Sequence, residues 1–169
     1  KKLKDILLDV KDSVTGITFV SDTVEDICAD WCYNSYYNYV SKDNETLFTN
    51  LTGNLILSNS ISRIGNCAFA SCGFTGNLVI PNSVVSIGNS AFSSCKSFTG
   101  DLVIPDSVTT LGSDAFHGCN GFNGTLTLGS GLTKLNVSTF QGCSGLTGDL
   151  VIPDNITQIG DTERAYYGA

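Results

Sequence analysis

Cysteine is the residue type whose spacing in this chain most suggests chemistry. Four of the seven cysteines recur 23 or 24 residues apart: Cys72, Cys95, Cys119 and Cys143. A zinc site needs four ligands around one ion, but no CxxC motif or neighbouring histidine completes such a set. Because free cysteine packs as a small hydrophobe, the spacing favours a column of buried thiols. Disulfide pairing of some of them is the alternative.

Other catalytic patterns are missing from the sequence. His117 is the only histidine, and it occupies a position that changes freely between the repeats described below, which predicts a surface residue. Asp101, Asp149 and Glu163 fall in different repeats without a pairing pattern. No nucleophile elbow, phosphate loop or dinucleotide fingerprint occurs. We therefore predict a protein that is not an enzyme and needs no cofactor.

A calcium loop is the remaining candidate for a metal site. Two predicted N-terminal helices flank a segment with the outline of an EF-hand or dockerin-like unit, which would place Tyr33, Ser35, Tyr37 and Asn44 at ligand positions. Two of these are tyrosines and the bidentate glutamate is missing. We predict a metal-free relic of such a loop rather than a calcium site.

Composition excludes several classes of partner. The 169-residue chain has a net charge of −7, and its nine basic residues are scattered apart from three at the N-terminus, which argues against nucleic acid. Apolar runs of three or four residues are too short to insert into a membrane. The apolar run within the first ten residues is also too short for a signal peptide. Either the protein is cytosolic or a leader is absent from this chain.

Internal repeats organise the chain from Thr52 onwards. Copies of a phrase of about 24 residues begin at Thr52, Thr75, Thr99, Asn123 and Thr147. A repeat this short cannot bury its own apolar face, so the copies must stack as a solenoid. Two apolar positions spaced by two, such as Leu102 and Ile104, predict one strand per repeat with alternate side chains buried. Ala-Phe-x-x-Cys predicts one helical turn on the opposite side.

Glycine precedes each predicted helical turn, as at Gly88 and Gly112, and Asn136 takes that place in the fourth copy. Both residue types tolerate positive φ, so we predict a bend with positive φ at this position. Residues 1–51 are predicted to form a helical N-terminal cap, in which Val24, Ile27 and Trp31 line one helical face behind a capping box. At the other end, residues 165–169 fit the repeat after a two-residue insertion.

The pattern L-x-I-P-x-x-V-x-x-I-G-x-x-A-F-x-x-C over residues 52–160 closely resembles the BspA-like, surface-antigen type of leucine-rich repeat. The resemblance implies a right-handed leucine-rich-repeat solenoid with a parallel β-sheet on one face and short helical turns on the other. Residues 52–169 would hold about 4.5–5 repeats, continuous with the cap at 1–51. The family implies cell-surface or secreted proteins of host-associated bacteria and some parasitic protists. Its members are linked to adhesion and to binding of host matrix proteins.

The outer face of the sheet is the predicted binding surface. Each strand presents one outward residue between its two buried positions, preceded by a polar-acidic column and followed by a proline-rich one. The predicted ligand-binding residues are Asn77, Val79, Asp101, Val103, Thr125, Thr127, Asp149 and Val151. Such a strip would bind a protein or glycan, host extracellular matrix among them, or associate with itself.

Strand propensity alone explains β-branched residues equally well, so this interpretation stays open. The alternatives for the whole chain are a structural spacer without a ligand and an intracellular scaffold.

Overall fold

Short parallel strands build the protein. The computed structural model describes the backbone at residues 17–18 and 26–27 and the whole of residues 52–160. Twelve two-residue strands lie there: β1 Ile17–Thr18, β2 Asp26–Ile27, β3 Leu55–Ile56, β4 Arg63–Ile64, β5 Gly76–Asn77, β6 Ser86–Ile87, β7 Phe98–Thr99, β8 Leu102–Val103, β9 Thr110–Leu111, β10 Leu126–Thr127, β11 Lys134–Leu135 and β12 Gln158–Ile159. None of the residues in these described ranges lies in an α-helix.

Most strands of successive repeats pair in register. On one side of the repeat β3 pairs with β1, β7 with β5 and β10 with β8, and we call this side the first ladder. On the other side, which we call the other ladder, β2, β4, β6 and β9 form one sheet beside the pair β11–β12. All of these pairs are parallel, and Val103 for example lies opposite Thr127. In the pairs β4–β6, β6–β9, β8–β10 and β11–β12 equivalent residues sit one above another, so that sequence columns become physical columns. The pair β5–β7 is offset by two residues, because Asn77 lies opposite Thr99 rather than opposite its counterpart Asp101.

The N-terminal region also contributes to the sheets. Ile17 pairs with Leu55 and Ile27 with Ile64, so both ladders extend into residues 1–51. The helix predicted across Val24 to Trp31 is not formed at Asp26 and Ile27, which lie in a strand instead. The rest of that prediction, the calcium-loop relic and the C-terminal residues 165–169 fall outside the described residues.

Apolar columns form the core between the two ladders. The rings of Phe69, Phe92, Phe116 and Phe140 stack with successive centroid separations of 5.2, 5.2 and 5.9 Å and interplanar angles of 6–19°. Each ring is at most 2% exposed. Stacking of this kind contributes about 0.5–1.5 kcal/mol per pair beyond the burial of area. The prediction that these columns point inward is confirmed for the first three repeats.

The fifth repeat departs from the inward pattern. Leu150 and Ile152 occupy the two inward strand positions, yet they are 42% and 37% exposed, whereas their counterparts Leu102 and Ile104 are buried. No described residue stacks on the far side of this repeat. The equivalent residue of the fourth repeat, Leu126, is half-buried.

The Ala-Phe-x-x-Cys segment differs from the predicted helical turn. In Ser90–Cys95 the N–H groups alternate: those of Ser90, Phe92 and Ser94 donate to carbonyls of the next repeat, while those of Ala91, Ser93 and Cys95 donate three residues back. Ser90 and Ser94 adopt φ of 54° and 62°, which an α-helix does not allow. The segment is therefore a run of turns whose hydrogen bonds form a third ladder between repeats, which we call the turn ladder.

Glycine at the bend is required by close packing rather than by positive φ. A Cβ on Gly112 would lie 2.4 Å from the backbone nitrogen of Asn89 and 2.5 Å from the carbonyl carbon of Gly88. Neither Gly88 nor Gly112 has a positive φ. At Asn136 the Cβ is present, and there the four-stranded sheet ends, because β9 and β11 do not pair. The Asn136 Nδ2 donates to the Leu111 carbonyl in place of the backbone bond that Gly112 makes to Ile87.

Candidate functional site

One line of outward residues runs across the first ladder, and we name it the valine strip: Ile56, Val79, Val103, Thr127 and Val151. Its four apolar members are 51%, 62%, 47% and 73% exposed, while the residues on either side in the first three repeats are buried. Side chains of an extended segment alternate between faces, so the buried neighbours fix the strip outwards. The structure therefore shows the predicted outward orientation in the first three repeats. In the fifth repeat Leu150 and Ile152, on either side of Val151, are exposed as well, so the orientation of Val151 stays a prediction.

Polar side chains border the strip on its N-terminal side. Asn77, Asp101, Thr125 and Asp149 are all exposed. They are not independent of the fold, however, because Asp101 Oδ1 accepts hydrogen bonds from the backbone nitrogen of Thr125 at 2.7 Å and from its hydroxyl at 3.0 Å. Asp101 therefore joins the third repeat to the fourth and has a fixed orientation.

The proline-rich column on the other side is not part of the surface. Pro81, Pro105 and Gly129 are buried, so the expectation that this column shares the outer face is wrong. The chain turns inward here: the carbonyl of Pro105 accepts a bond from the nitrogen of Val108, and a Cβ on Gly129 would lie 2.3 Å from that same carbonyl oxygen.

The residue after the proline takes its place on the surface. The exposed column consists of Asn59, Asn82, Asp106, Ser130 and Asp154. Asp106 Oδ1 accepts bonds from the backbone nitrogen and the hydroxyl of Ser130, at 2.7 and 3.0 Å. Sequence analysis missed this column, although the recurrence of Asn, Asp or Ser at one position of every repeat was a usable signal.

These hydrogen bonds should appear in the pH dependence of stability. The bonds from Thr125 and Ser130 lower the pKa of Asp101 and Asp106 below the ordinary value. A carboxyl with a lowered folded pKa stabilises the fold above its unfolded pKa, and this contribution is lost as pH falls through the folded value. Asp101→Ala/Asp106→Ala should therefore reduce the free energy of unfolding at pH 7, and the difference from the parent should shrink below about pH 4.

Urea unfolding at pH 7 and at pH 3 measures both differences. Asp149→Ala/Asp154→Ala removes the same charge, and the described part of the chain gives these two carboxylates no hydrogen bond. We expect this control to change stability little at either pH. A deficit of Asp101→Ala/Asp106→Ala that is equally large at pH 3 would contradict the role of the ionised carboxylates.

The cysteine column is a packing feature. Cys72, Cys95, Cys119 and Cys143 are buried thiols, and the last three donate to the carbonyls of Phe69, Phe92 and Phe116 in the preceding repeat at 2.9–3.1 Å. Burial raises the pKa of Cys143 to about 12 and that of Cys119 well above its ordinary range. The thiolate is the reactive form, so the raised pKa values disfavour reaction of Cys119 and Cys143 at neutral pH. The predicted column of buried thiols is confirmed, and the disulfide alternative does not hold for these four residues.

Potential metal ligands do not converge in the described ranges. No three His, Cys, Asp or Glu side chains come together there in a way that could hold a metal ion. His117 is half-buried in the turn ladder, where its backbone nitrogen bonds the Asp114 carbonyl and its own carbonyl accepts from Ser94. Within the same ranges no helix has the length and hydropathy to cross a bilayer.

Parallel strands at a period of about 24 residues, with a shared apolar core, define a leucine-rich-repeat protein. A sequence model of the BspA type leucine rich repeat region matches residues 43–167 in six copies. The chain therefore belongs to the BspA-type leucine-rich-repeat family. No functionally curated protein matches it.

Solved structures of leucine-rich-repeat proteins are similar to it. One from T. pallidum is 32% identical, with 67% of this chain and 47% of that chain covered and a TM-score of 0.53. A leucine rich cell surface protein of Faecalibacterium prausnitzii A2-165 is 20% identical, with 86% and 31% covered and a TM-score of 0.58. One from Bacteroides ovatus is 22% identical, with 78% and 40% covered and a TM-score of 0.41. The chain thus spans less than half the length of these relatives.

Proposed function

We propose that this chain is part of a cell-surface or secreted protein that adheres to a protein or glycan partner through the valine strip. Membership of the BspA-type family supports a role in protein binding or at the surface. One similar structure is itself described as a cell surface protein. The proposal includes a non-enzymatic role, a right-handed solenoid and the N-terminal cap formed by residues 1–51. Host matrix proteins are the partners we would test first.

The exposed strip is the observation that carries the proposal. Val79, Val103 and Val151 expose 62%, 47% and 73% of their area on one face, and they recur at the spacing of the repeat. Scattered apolar residues on a surface are ordinary, but a contiguous line of them is typical of a binding site. Ile56, Val79 and Val103 form such a line over the first three repeats, and Thr127 separates them from Val151. Covering these side chains with a partner would remove apolar area from water at a gain of about 25 cal/mol per Å².

Substitution of the strip tests the proposal. Val79→Lys/Val103→Lys/Val151→Lys should weaken binding to matrix proteins or mucins at least tenfold, because lysine ammonium groups would have to be desolvated at the interface. Surface plasmon resonance on immobilised fibronectin, fibrinogen, collagen and mucin gives the readout. The folded state is checked by urea unfolding, which exposed substitutions should change little.

A matched control uses the neighbouring column on the other ladder. Val85 is 45% exposed there, and Thr109 and Thr133 follow it in the next two repeats. Val85→Lys/Thr109→Lys/Thr133→Lys adds the same charge away from the valine strip and should leave binding intact. Equal loss in both variants would exclude the strip as the site. Absence of binding to every surface by the parent chain would favour the alternative of a structural spacer.

A further inference from the structure

Carboxylates lie at both ends of the exposed valines. Val103 stands between Asp101 and Asp106, and two repeats later Val151 stands between Asp149 and Asp154. All four carboxylates are on exposed residues, as are the two valines. In an extended segment Asp101 and Val103 share one face about 7 Å apart. The strip thus has carboxylates on both sides in the third and fifth repeats, which we call the acidic borders. In the second and fourth repeats the same positions are neutral: Asn77, Asn82, Thr125 and Ser130.

Positive charge is almost absent around this part of the strip. The described residues 52–160 contain five aspartates and three basic residues: Arg63, Lys96 and Lys134. Arg63 belongs to β4 in the other ladder, and Lys96 precedes the third repeat. Lys134 belongs to β11, which is in the other ladder. The potential over Val103 and Val151 is therefore negative at neutral pH, and complementary charge on a partner gives both attraction and orientation.

Hydrogen bonds within the fold already fix the orientation of two of the carboxylates. All hydrogen bonds that the described residues make to Asp101 and Asp106 go to Oδ1, from Thr125 and Ser130 respectively. The second oxygen of each keeps its acceptor capacity, and the side chain is already ordered. A cationic group that binds there does not have to immobilise the carboxylate, which reduces the entropic cost of association.

A metal ion does not explain the pattern. Calcium is bound by several oxygens at 2.3–2.6 Å, whereas Asp101 and Asp106 stand at opposite ends of a strand and turn, roughly 15 Å apart. Equivalent carboxylates two repeats apart, such as those of Asp101 and Asp149, are separated by about 10 Å. The spacing suits several separate cations on a long partner.

We propose that the valine strip binds a basic protein segment, in which lysine or arginine side chains lie on either side of apolar residues. The apolar residues cover Val79, Val103 and Val151, and the cations meet the acidic borders. Arginine fits best, because its planar guanidinium pairs with a carboxylate through two hydrogen bonds. This inference rests on the proposed function, since it names the chemistry of the partner at the same strip.

Synthetic peptides of ten residues test the inference, read out by fluorescence anisotropy with the full 169-residue chain. The Arg-Val peptide is Arg-Gly-Val-Gly-Arg-Gly-Val-Gly-Arg-Gly, which in an extended chain presents arginine and valine on one face. The Glu-Val peptide has glutamate in place of each arginine, and the Arg-Gly peptide has glycine in place of each valine. We expect the Arg-Val peptide to bind at least tenfold more tightly than either of the others, with affinity falling as salt rises. Equal binding of the Arg-Gly peptide would overturn the inference, because charge alone would then suffice.

Asparagine variants test the acidic borders without disturbing the fold. Asn Oδ1 can replace the aspartate acceptor, as Asn66 Oδ1 already accepts from the Asn89 nitrogen at 2.8 Å. Asp101→Asn/Asp106→Asn/Asp149→Asn/Asp154→Asn should bind the Arg-Val peptide at least tenfold more weakly and lose most of the salt dependence. Asp114→Asn, in the turn ladder, should bind like the parent.

The two proposals can fail separately. Unchanged affinity of the fourfold variant for the Arg-Val peptide overturns the basic partner. The proposed function then still stands if the lysine variants of the valine strip lose binding to matrix proteins. If neither the peptides nor any matrix surface binds, both proposals are overturned.

Discussion

Phe116→Ala is expected to lower the free energy of unfolding by about 3–5 kcal/mol, the range measured when a large buried aromatic is truncated. Phe116 is fully buried and lies in the middle of the ring column, 5.2 Å from Phe92 and 5.9 Å from Phe140. Its loss removes two stacked contacts and leaves a cavity between the third and fourth repeats. Urea unfolding followed by circular dichroism measures the effect.

Phe140→Ala is the matched control. The described residues give Phe140 a single stacked partner, Phe116, although the ring is just as buried. We expect its cost to be smaller by about 0.5–1.5 kcal/mol, the worth of one aromatic pair. The comparison concerns the stacked pairs among the described residues, which number two at Phe116 and one at Phe140. Equal costs for the two variants would mean that the column is not a cooperative stack.

Sequence reasoning succeeded where one repeat could be compared with the others. The columns of Phe116 and Cys119 are apolar or cysteine in every complete copy, and an inward position is the physical reason for such constancy. The outward orientation of Val103 followed in the same way from its place between two constant apolar residues. These conclusions needed only the alternation of a strand and the stacking of equal units.

The errors came from spacings that two structures share. Apolar residues three apart occur within the repeat, as at Val108 and Leu111, and also on one face of a helix. The same spacing at Val24 and Ile27 predicts a helix, but the structure places Ile27 in a strand. Ala-Phe-x-x-Cys is similarly compatible with a helix and with turns bonded three residues back. Periodicity cannot separate these, because the deciding hydrogen bonds run to the next repeat.

Burial of the proline column could not be predicted from the sequence either. Pro105 explains why the ladder bonds end at Ile104, since proline supplies no N–H, but it does not determine towards which side the chain then turns. In the structure the turn is closed by the Val108 nitrogen, which donates to the carbonyl of Pro105 at 3.1 Å. The boundary of the N-terminal cap at residue 51 and the ligand-binding role of the valine strip remain predictions.

Gly112→Ala is expected to destabilise the fold by about 3 kcal/mol, through overpacking and a lost hydrogen bond between repeats. The added Cβ would lie 2.4–2.7 Å from backbone atoms of Gly88 and Asn89, which cannot rotate away as a side chain would. Relief requires the second and third repeats to separate. That movement breaks the bond from the Gly112 nitrogen to the Ile87 carbonyl, 2.8 Å long, and the one from Ser113 to Asn89. Urea unfolding again provides the measurement.

Gly118→Ala in the same repeat separates crowding from the general effect of replacing glycine. The nearest atom to a Cβ there is the Ser94 hydroxyl at 3.5 Å, so the cost should be limited to the positive φ of 71°, about 1 kcal/mol. Gly112→Asn should be less destabilising than Gly112→Ala despite its larger side chain. At the equivalent position Asn136 Nδ2 bonds the carbonyl of the preceding repeat, which alanine cannot do. If asparagine proves worse than alanine, steric volume alone governs this bend, and the hydrogen bond of Asn136 does not compensate for the ladder it interrupts.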